Sequence, residues 1–181
     1  MLIGGVKSIG GQVSKFGGVQ NHHTLDSQFW GTKLPNKVKL CVWKALKGFF
    51  PIRSRLLSRL VDVPVHCGLC QQDSKVDEHL FRDCVVSRRI LTPLLGQLAQ
   101  QQLPFPAWLK LCMGVLSSHK RSELLVLLWS IWKARNDKVW HDKACDHLKV
   151  IVRAHLWLQN YLQVNRPPVQ IGRQRSKWMK P

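Results

Sequence analysis

Acidic side chains are scarce in this chain. Ten Asp and Glu stand against twenty-eight Lys and Arg in 181 residues, a formal charge of +18. That scarcity argues against two-metal polymerase or nuclease chemistry, which needs clustered carboxylates to hold its ions. The only adjacent acids are Asp77 and Glu78, and their plain role is favourable charge at a helix start. Long hydrophobic runs are missing too. The longest, "LLVLLWSIW" from Leu124 to Trp132, is about half the ~20 residues that a membrane span needs. The opening "MLIGGVKSIGGQV" has no continuous apolar stretch ahead of a cleavage site, so it does not read as a secretory signal. No Gly-rich phosphate loop appears, and no Ser or Cys nucleophile stands beside a convincing base. There is no alternating β-pattern and no internal repeat. These absences lead us to expect a mostly α, non-enzymatic chain that is neither secreted nor membrane-bound and resides in the nucleus or cytoplasm.

What is abundant is positive charge, which points to a polyanionic partner, most often nucleic acid. Much of it is local. Residues 29–61 carry Lys33, Lys37, Lys39, Lys44, Lys47, Arg53, Arg55 and Arg59 and no acid. Within them Val38, Val42, Ala45, Leu46 and Phe49 recur at helical spacing. Gly48 and Pro51 then break the pattern. Two helices are expected, the second over about Arg53 to Leu60. Ahead of them, residues 1–28 are Gly-rich and aperiodic and read as a flexible leader. Its His22-His23 pair reads as solvated rather than as a metal site.

Beyond residue 84 the expectations are again helical. Residues 85–105 form a broken helix, with Pro93 and Gly96 inside it. A short helix starts at Pro106, where a proline suits the first turn. A long one runs from about Ser122 to His141, with Leu124, Leu127, Leu128, Ile131, Trp132, Arg135 and Val139 at i, i+3, i+4 spacing. Another runs from about Ala144 to Gln163, with Leu148, Val152, His155, Leu156 and Leu162 on one side. His155 is expected to be a satisfied, half-buried histidine. Residues 165–181 read as a basic, Pro-containing linker.

Three of the six cysteines fall in "HCGLCQQDSKVDEHLFRDC", residues 66–84. The spacing is Cys67-x2-Cys70-x8-His79-x4-Cys84, and three Cys with one His form a standard structural zinc set. In a reduced intracellular setting such clustering favours metal over disulfide. With all four positions filled by protein, a site of this kind holds the chain together and leaves no room for an activated water. We expect Gly68 to ease the tight Cys-x2-Cys turn. On an ideal α-helix His79 and Cys84 would be separated by ~140°, so a helix must end before Cys84 or begin near His79. His66 could compete as a ligand, but neighbouring residues rarely aim at one ion. Cys41, Cys112 and Cys145 read as buried free thiols. Three thiolates on Zn²⁺ leave the site near −1, and residues 62–84 are themselves acidic. Phosphate should avoid it, and Phe81 reads as core.

Taken together, three ordered blocks resemble the reverse-transcriptase zinc-binding domain of plant non-LTR (LINE-type) retroelements. The first is "FWGTKLPNKVKLCVWKALKGFFPIRSRLLSRLVDVPVHCGLC", the second "DEHLFRDC", the third "WSIWKARNDKVW". They carry Phe29, Trp30, Pro35, Lys37, Val38, Lys39, Trp43, Pro51, Arg53, Val61, Asp62, Val63, the four candidate ligands with Glu78, Leu80 and Phe81, and then Trp129, Ile131, Trp132, Lys133, Ala134, Arg135 and Asn136. Pro51-Ile52-Arg53 departs from the commoner Pro-Thr-Arg, and the spacing from Trp30 to Pro35 is short. The resemblance implies zinc as cofactor, no catalysis, and an RNase H domain after a tail such as "RSKWMKP". The organisation expected is a leader (1–28), a zinc domain (29–100), a helical extension (101–164) and a linker (165–181). The function expected is nucleic-acid binding, to RNA or DNA, through the eight basic residues of 29–61, helped by Arg173, Arg175, Lys177 and Lys180. The alternatives are a structural module that packs on a reverse transcriptase or another protein, and a retroelement remnant without function.

Overall fold

The computed structural model describes residues 27–50, 66–72 and 79–166. The expected helix over Arg53–Leu60, the leader up to residue 26, the Asp77-Glu78 pair and the basic tail from residue 167 lie outside the described residues, and Arg53, Arg55 and Arg59 with them. Among the described residues every element is a helix, joined by short turns, and none is a strand. This agrees with the mostly α expectation.

A helical turn at residues 27–30 leads to α1, Asn36–Leu46. Pro35 precedes it, where a proline costs no hydrogen bond. The helix buries Val38, Cys41, Val42 and Ala45, one i, i+3, i+4, i+7 stripe. Gly48 ends it with φ 61, a conformation that glycine adopts without strain. The reversal sends Phe50 inward and leaves Phe49 exposed against the edge of Trp43. Phe49 therefore drops out of the apolar stripe expected from spacing, because the helix stops before reaching it.

A single π-turn, His79–Asp83, is followed by α2, Val85–Leu95. Pro93 sits exposed in the last turn of α2 and does not break it. Gly96, at φ 55, does, and a 3₁₀ turn continues over Gly96–Gln100. Helix α3, Phe105–Val115, has Pro106 in its first turn as expected. Its Trp108 is fully buried and donates its indole N–H to the Leu98 carbonyl at 2.7 Å.

Helix α4, Ser118–His141, starts about a turn earlier than the periodicity indicated, because Ser117 caps it by accepting from the Lys120 N–H. Leu124 through Leu128 are all buried. A helical stretch apolar on every side is a central one, and α4 packs against α1, α2, the π-turn and α5. Helix α5, His147–Val164, is capped by Asp146, whose carboxylate accepts from the Leu148 and Lys149 N–H groups. Here the expected apolar face was the wrong one. Leu148, Val152 and Leu156 are exposed, while Ala154 and Leu158 are buried, with Val150, Ile151, Trp157, Tyr161 and Leu162 packed around them. Two apolar stripes share this helix, and the one carrying the aromatic rings lies on α4. His155 is half-buried and paired with Glu123 of α4, the satisfied histidine that was expected.

One apolar core runs through all these elements. An aromatic chain crosses it, from Trp132 to Phe50 at 4.1 Å, on to Phe81 at 5.3 Å and Phe105 at 5.5 Å between ring centroids.

Candidate metal centre

Cys67, Cys70, His79 and Cys84 come together, with their ligand atoms all within 4.8 Å of one another. The Cys67 and Cys84 sulfurs are 3.9 Å apart, and Cys70 Sγ lies 3.2 Å from His79 Nε2. Four donors at about 2.0–2.3 Å from one centre stand roughly 3.3–3.8 Å apart in a tetrahedron. The group can therefore close on an ion with small side-chain shifts, and three sulfurs with one imidazole nitrogen are a zinc-type donor set.

Two local structures present these ligands. The first is a tight turn, in which the Cys67 N–H donates to the Gln72 carbonyl at 2.8 Å and the Gln71 N–H to the Cys67 carbonyl at 2.9 Å. Its left-handed residue is Gln71, at φ 61. Gly68 does not supply the turn's conformation, contrary to expectation; its role is close approach. A Cβ on Gly68 would lie 2.7 Å from Val139 Cγ2 and 3.7 Å from Arg135 Cγ, both on α4. The second is the π-turn. The Cys84 N–H donates to the His79 carbonyl at 2.7 Å, closing an i to i+5 ring. This wider ring brings His79 and Cys84 toward the same side, so the ~140° splay of an ideal α-helix is avoided. The turn ends before Cys84, one of the two options foreseen.

Neighbouring side chains fix the π-turn. Ser87 is fully buried and donates to the Leu80 carbonyl at 2.6 Å. Arg82 grips Asp83 with two nitrogens, each at 2.6 Å. Phe81 is buried between Phe50 and Phe105, a core residue and not a stacking platform.

The electrostatics separate the Cys67–Cys84 pair from the other four thiols. Contact with Cys84 holds the Cys67 thiol down at about 4 in spite of burial, and the same contact, with burial, pushes Cys84 up. Burial also raises Cys70. Cys41 and Cys112 are simply buried thiols, pushed up to about 12 and about 11, and burial raises Cys145. His66 is exposed and outside the group.

Arg135 is the residue that spacing alone hid, inside an apolar stripe. Its guanidinium lies over the Trp132 ring at 5.3 Å and is half-buried; burial lowers its pKa, while the nearby Cys67 thiolate raises it. It is a cation placed beside a site that three thiolates and a divalent ion leave near −1. An arginine on an otherwise apolar face was the available signal.

Of the basic residues singled out, Lys33, Lys37, Lys44 and Lys47 are exposed. Lys39 is half-buried and donates to the Trp30 and Thr32 carbonyls at 3.2 and 3.4 Å, holding the turn before α1.

Comparison with known proteins agrees with this geometry. Residues 14–90 match the family described as zinc-binding in reverse transcriptase. Over those residues the chain is similar to a reverse-transcriptase zinc-binding domain, a zinc-binding module rather than a catalytic domain. The match begins inside the segment read as a leader and ends within α2. No curated protein and no solved structure matches the chain. No described helix is long and apolar enough to cross a membrane.

Proposed function

We propose that the chain is a non-catalytic module, derived from a LINE-type retroelement polyprotein of plant type, that binds Zn²⁺ for its fold and nucleic acid for its function. The observation that carries the zinc is the convergence of Cys67, Cys70, His79 and Cys84 within 4.8 Å, in a segment covered by the family match. Support for nucleic acid comes from charge and its placement. Residues 29–61 hold no acid, and Lys33, Lys37, Lys44 and Lys47 project into solvent around α1. Lysines so placed neutralise phosphates and release counterions. The partner sits on these cations and away from the anionic knuckle.

Two measurements test this. Purified chain should contain one Zn²⁺, and the Cys70→Ser variant should lose it; wild type without zinc ends the metal reading. Titration of the intact chain with RNA and DNA should show affinity falling with salt. About four phosphates neutralised on a single strand give about a 50-fold loss between 50 and 200 mM salt. Absence of binding at low salt ends the nucleic-acid reading. A protein partner, such as a reverse transcriptase, is a second reading, favoured by the exposed Leu148, Val152 and Leu156 of α5.

A further inference from the structure

A groove of about 550 Å³ lies between α1, α4 and α5, within the roughly 300–1,000 Å³ of small-ligand sites. It is separate from the metal group. Along α4 the groove residues Trp129 and Lys133 face on average about 120° away from Arg135 and Val139, which pack on Gly68 of the knuckle.

Two columns at four-residue spacing line the groove. Trp129 and Lys133 form one on α4; Lys149, Arg153 and Trp157 form the other on α5, and Lys37 of α1 joins them from the side. The indoles of Trp129 and Trp157 meet at 5.0 Å, tilted by 53°. Tyr161 stacks on Trp157 at 5.5 Å with its ring nearly parallel, fixing that indole in place. Cations crowd these rings. Lys37 Nζ lies over Trp129 at 5.3 Å and over Trp157 at 5.5 Å, and Lys133 Nζ lies over Trp129 at 4.9 Å. Two acids also line the groove, Asp137 and Asp146. Asp146 is occupied in capping α5 and in an ion pair with Lys149 at 3.6 Å. Lys37, Lys133 and Arg153 make no ion pair among the described residues.

Unpaired exposed cations and half-buried indoles in one concavity match a ligand that carries both phosphate and a flat π-system. We propose that this groove binds single-stranded nucleic acid, holding an unstacked base against Trp129 and Trp157 and the flanking phosphates on Lys133, Arg153 and Lys37. A base takes the place of the Lys37 ammonium over the rings, and the flexible side chain follows the phosphate. Stacking of this kind is tolerant of base identity. A duplex keeps its bases inside the helix and offers the groove only phosphate. An acidic peptide would satisfy the cations and leave the indole faces without a π-partner. The proposal rests on the nucleic-acid reading above and narrows it to one strand and one place.

The test is fluorescence anisotropy of the intact zinc-loaded chain with a labelled oligothymidylate and with a duplex of equal length. Trp157→Leu should weaken single-strand binding about tenfold or more while changing duplex binding less than about threefold, since one stacked base contributes on that scale. The exposed pair Lys133→Glu and Arg153→Glu, which leave the core untouched, should weaken single-strand binding by a similar factor at low salt. Unchanged zinc content and circular dichroism establish that each variant is folded, and the charge reversals keep the test open if Trp157→Leu is not. Wild type that binds nucleic acid while all three variants match it overturns the groove and leaves the broader reading standing. Wild type that binds none overturns both. Equal losses for strand and duplex in Trp157→Leu, or competition by free thymidine monophosphate as effective as the oligonucleotide, also overturn the strand-binding groove.

Discussion

Helix α4 separates two regions of opposite character. On one side Val139 and Arg135, the latter over the Trp132 ring, back a closed knuckle of three thiols and an imidazole, buried or half-buried and close to anionic once a divalent ion is held. On the other, Trp129 and Lys133 wall an open groove crowded with cations. Both pair an indole with a basic side chain, yet the outcomes differ. Arg135 is drawn toward thiolate and desolvated, while Lys133 stays exposed over its ring. A cation held against fixed negative charge is committed to the fold; one that makes no ion pair is available to a ligand.

That contrast can be broken in stages. Removing the metal should have the largest effect. Structural zinc contributes about 10–16 kcal/mol in small zinc modules, comparable with or above the ~5–15 kcal/mol of a whole domain. A chelator should therefore abolish cooperative thermal unfolding, with recovery on adding Zn²⁺, and the groove should lose ligand binding with it because both share α4. Phe81→Ala should cost about 3–5 kcal/mol in denaturant melts, since Phe81 is buried in the aromatic chain. Arg135→Gln should lower zinc affinity about 10- to 100-fold in a competition titration, as removal of a supporting group does, and leave the salt-dependent part of nucleic-acid binding in place. Lys133→Glu should do the reverse; equal effects of both on zinc would erase the distinction between the two faces. Gly68→Ala should cost about 1–3 kcal/mol through the contact with Val139, read as a lower melting temperature of the zinc-loaded chain. The smallest effect is expected for Asp146→Ala, about 1 kcal/mol from the lost α5 cap, with no change in zinc affinity.

How far the residues alone could be read varies with the physics involved. The metal group was legible because ligand chemistry and short spacing are local properties. Helix α1 was legible because a solvated helix shows its buried face as an i, i+3, i+4 stripe. On α5 the same logic picked Leu148, Val152 and Leu156, and they are exposed. The helix carries two apolar stripes, and periodicity cannot say which one meets a neighbour. Helix α4 shows the opposite limit: Leu124 to Leu128 are buried on every side, so no single stripe marks its contacts. The π-turn was visible only as a conflict between His79 and Cys84 on an α-helix. The groove was not legible at all, since Lys37, Lys133 and Arg153 come from three helices far apart in the chain.

Composition and spacing by themselves determined a basic, helical chain with a Cys₃His ligand set, because charge, ligand type and helical period reside in short stretches of residues. Tertiary structure alone decided that Gly68 serves close packing, that Arg135 stands by the thiolates, and which face of α5 is covered. It also decided that two tryptophans and three cations without an ion pair among the described residues share one groove. Each of these depends on which surfaces meet across α4, and that is set by mutual burial of distant segments.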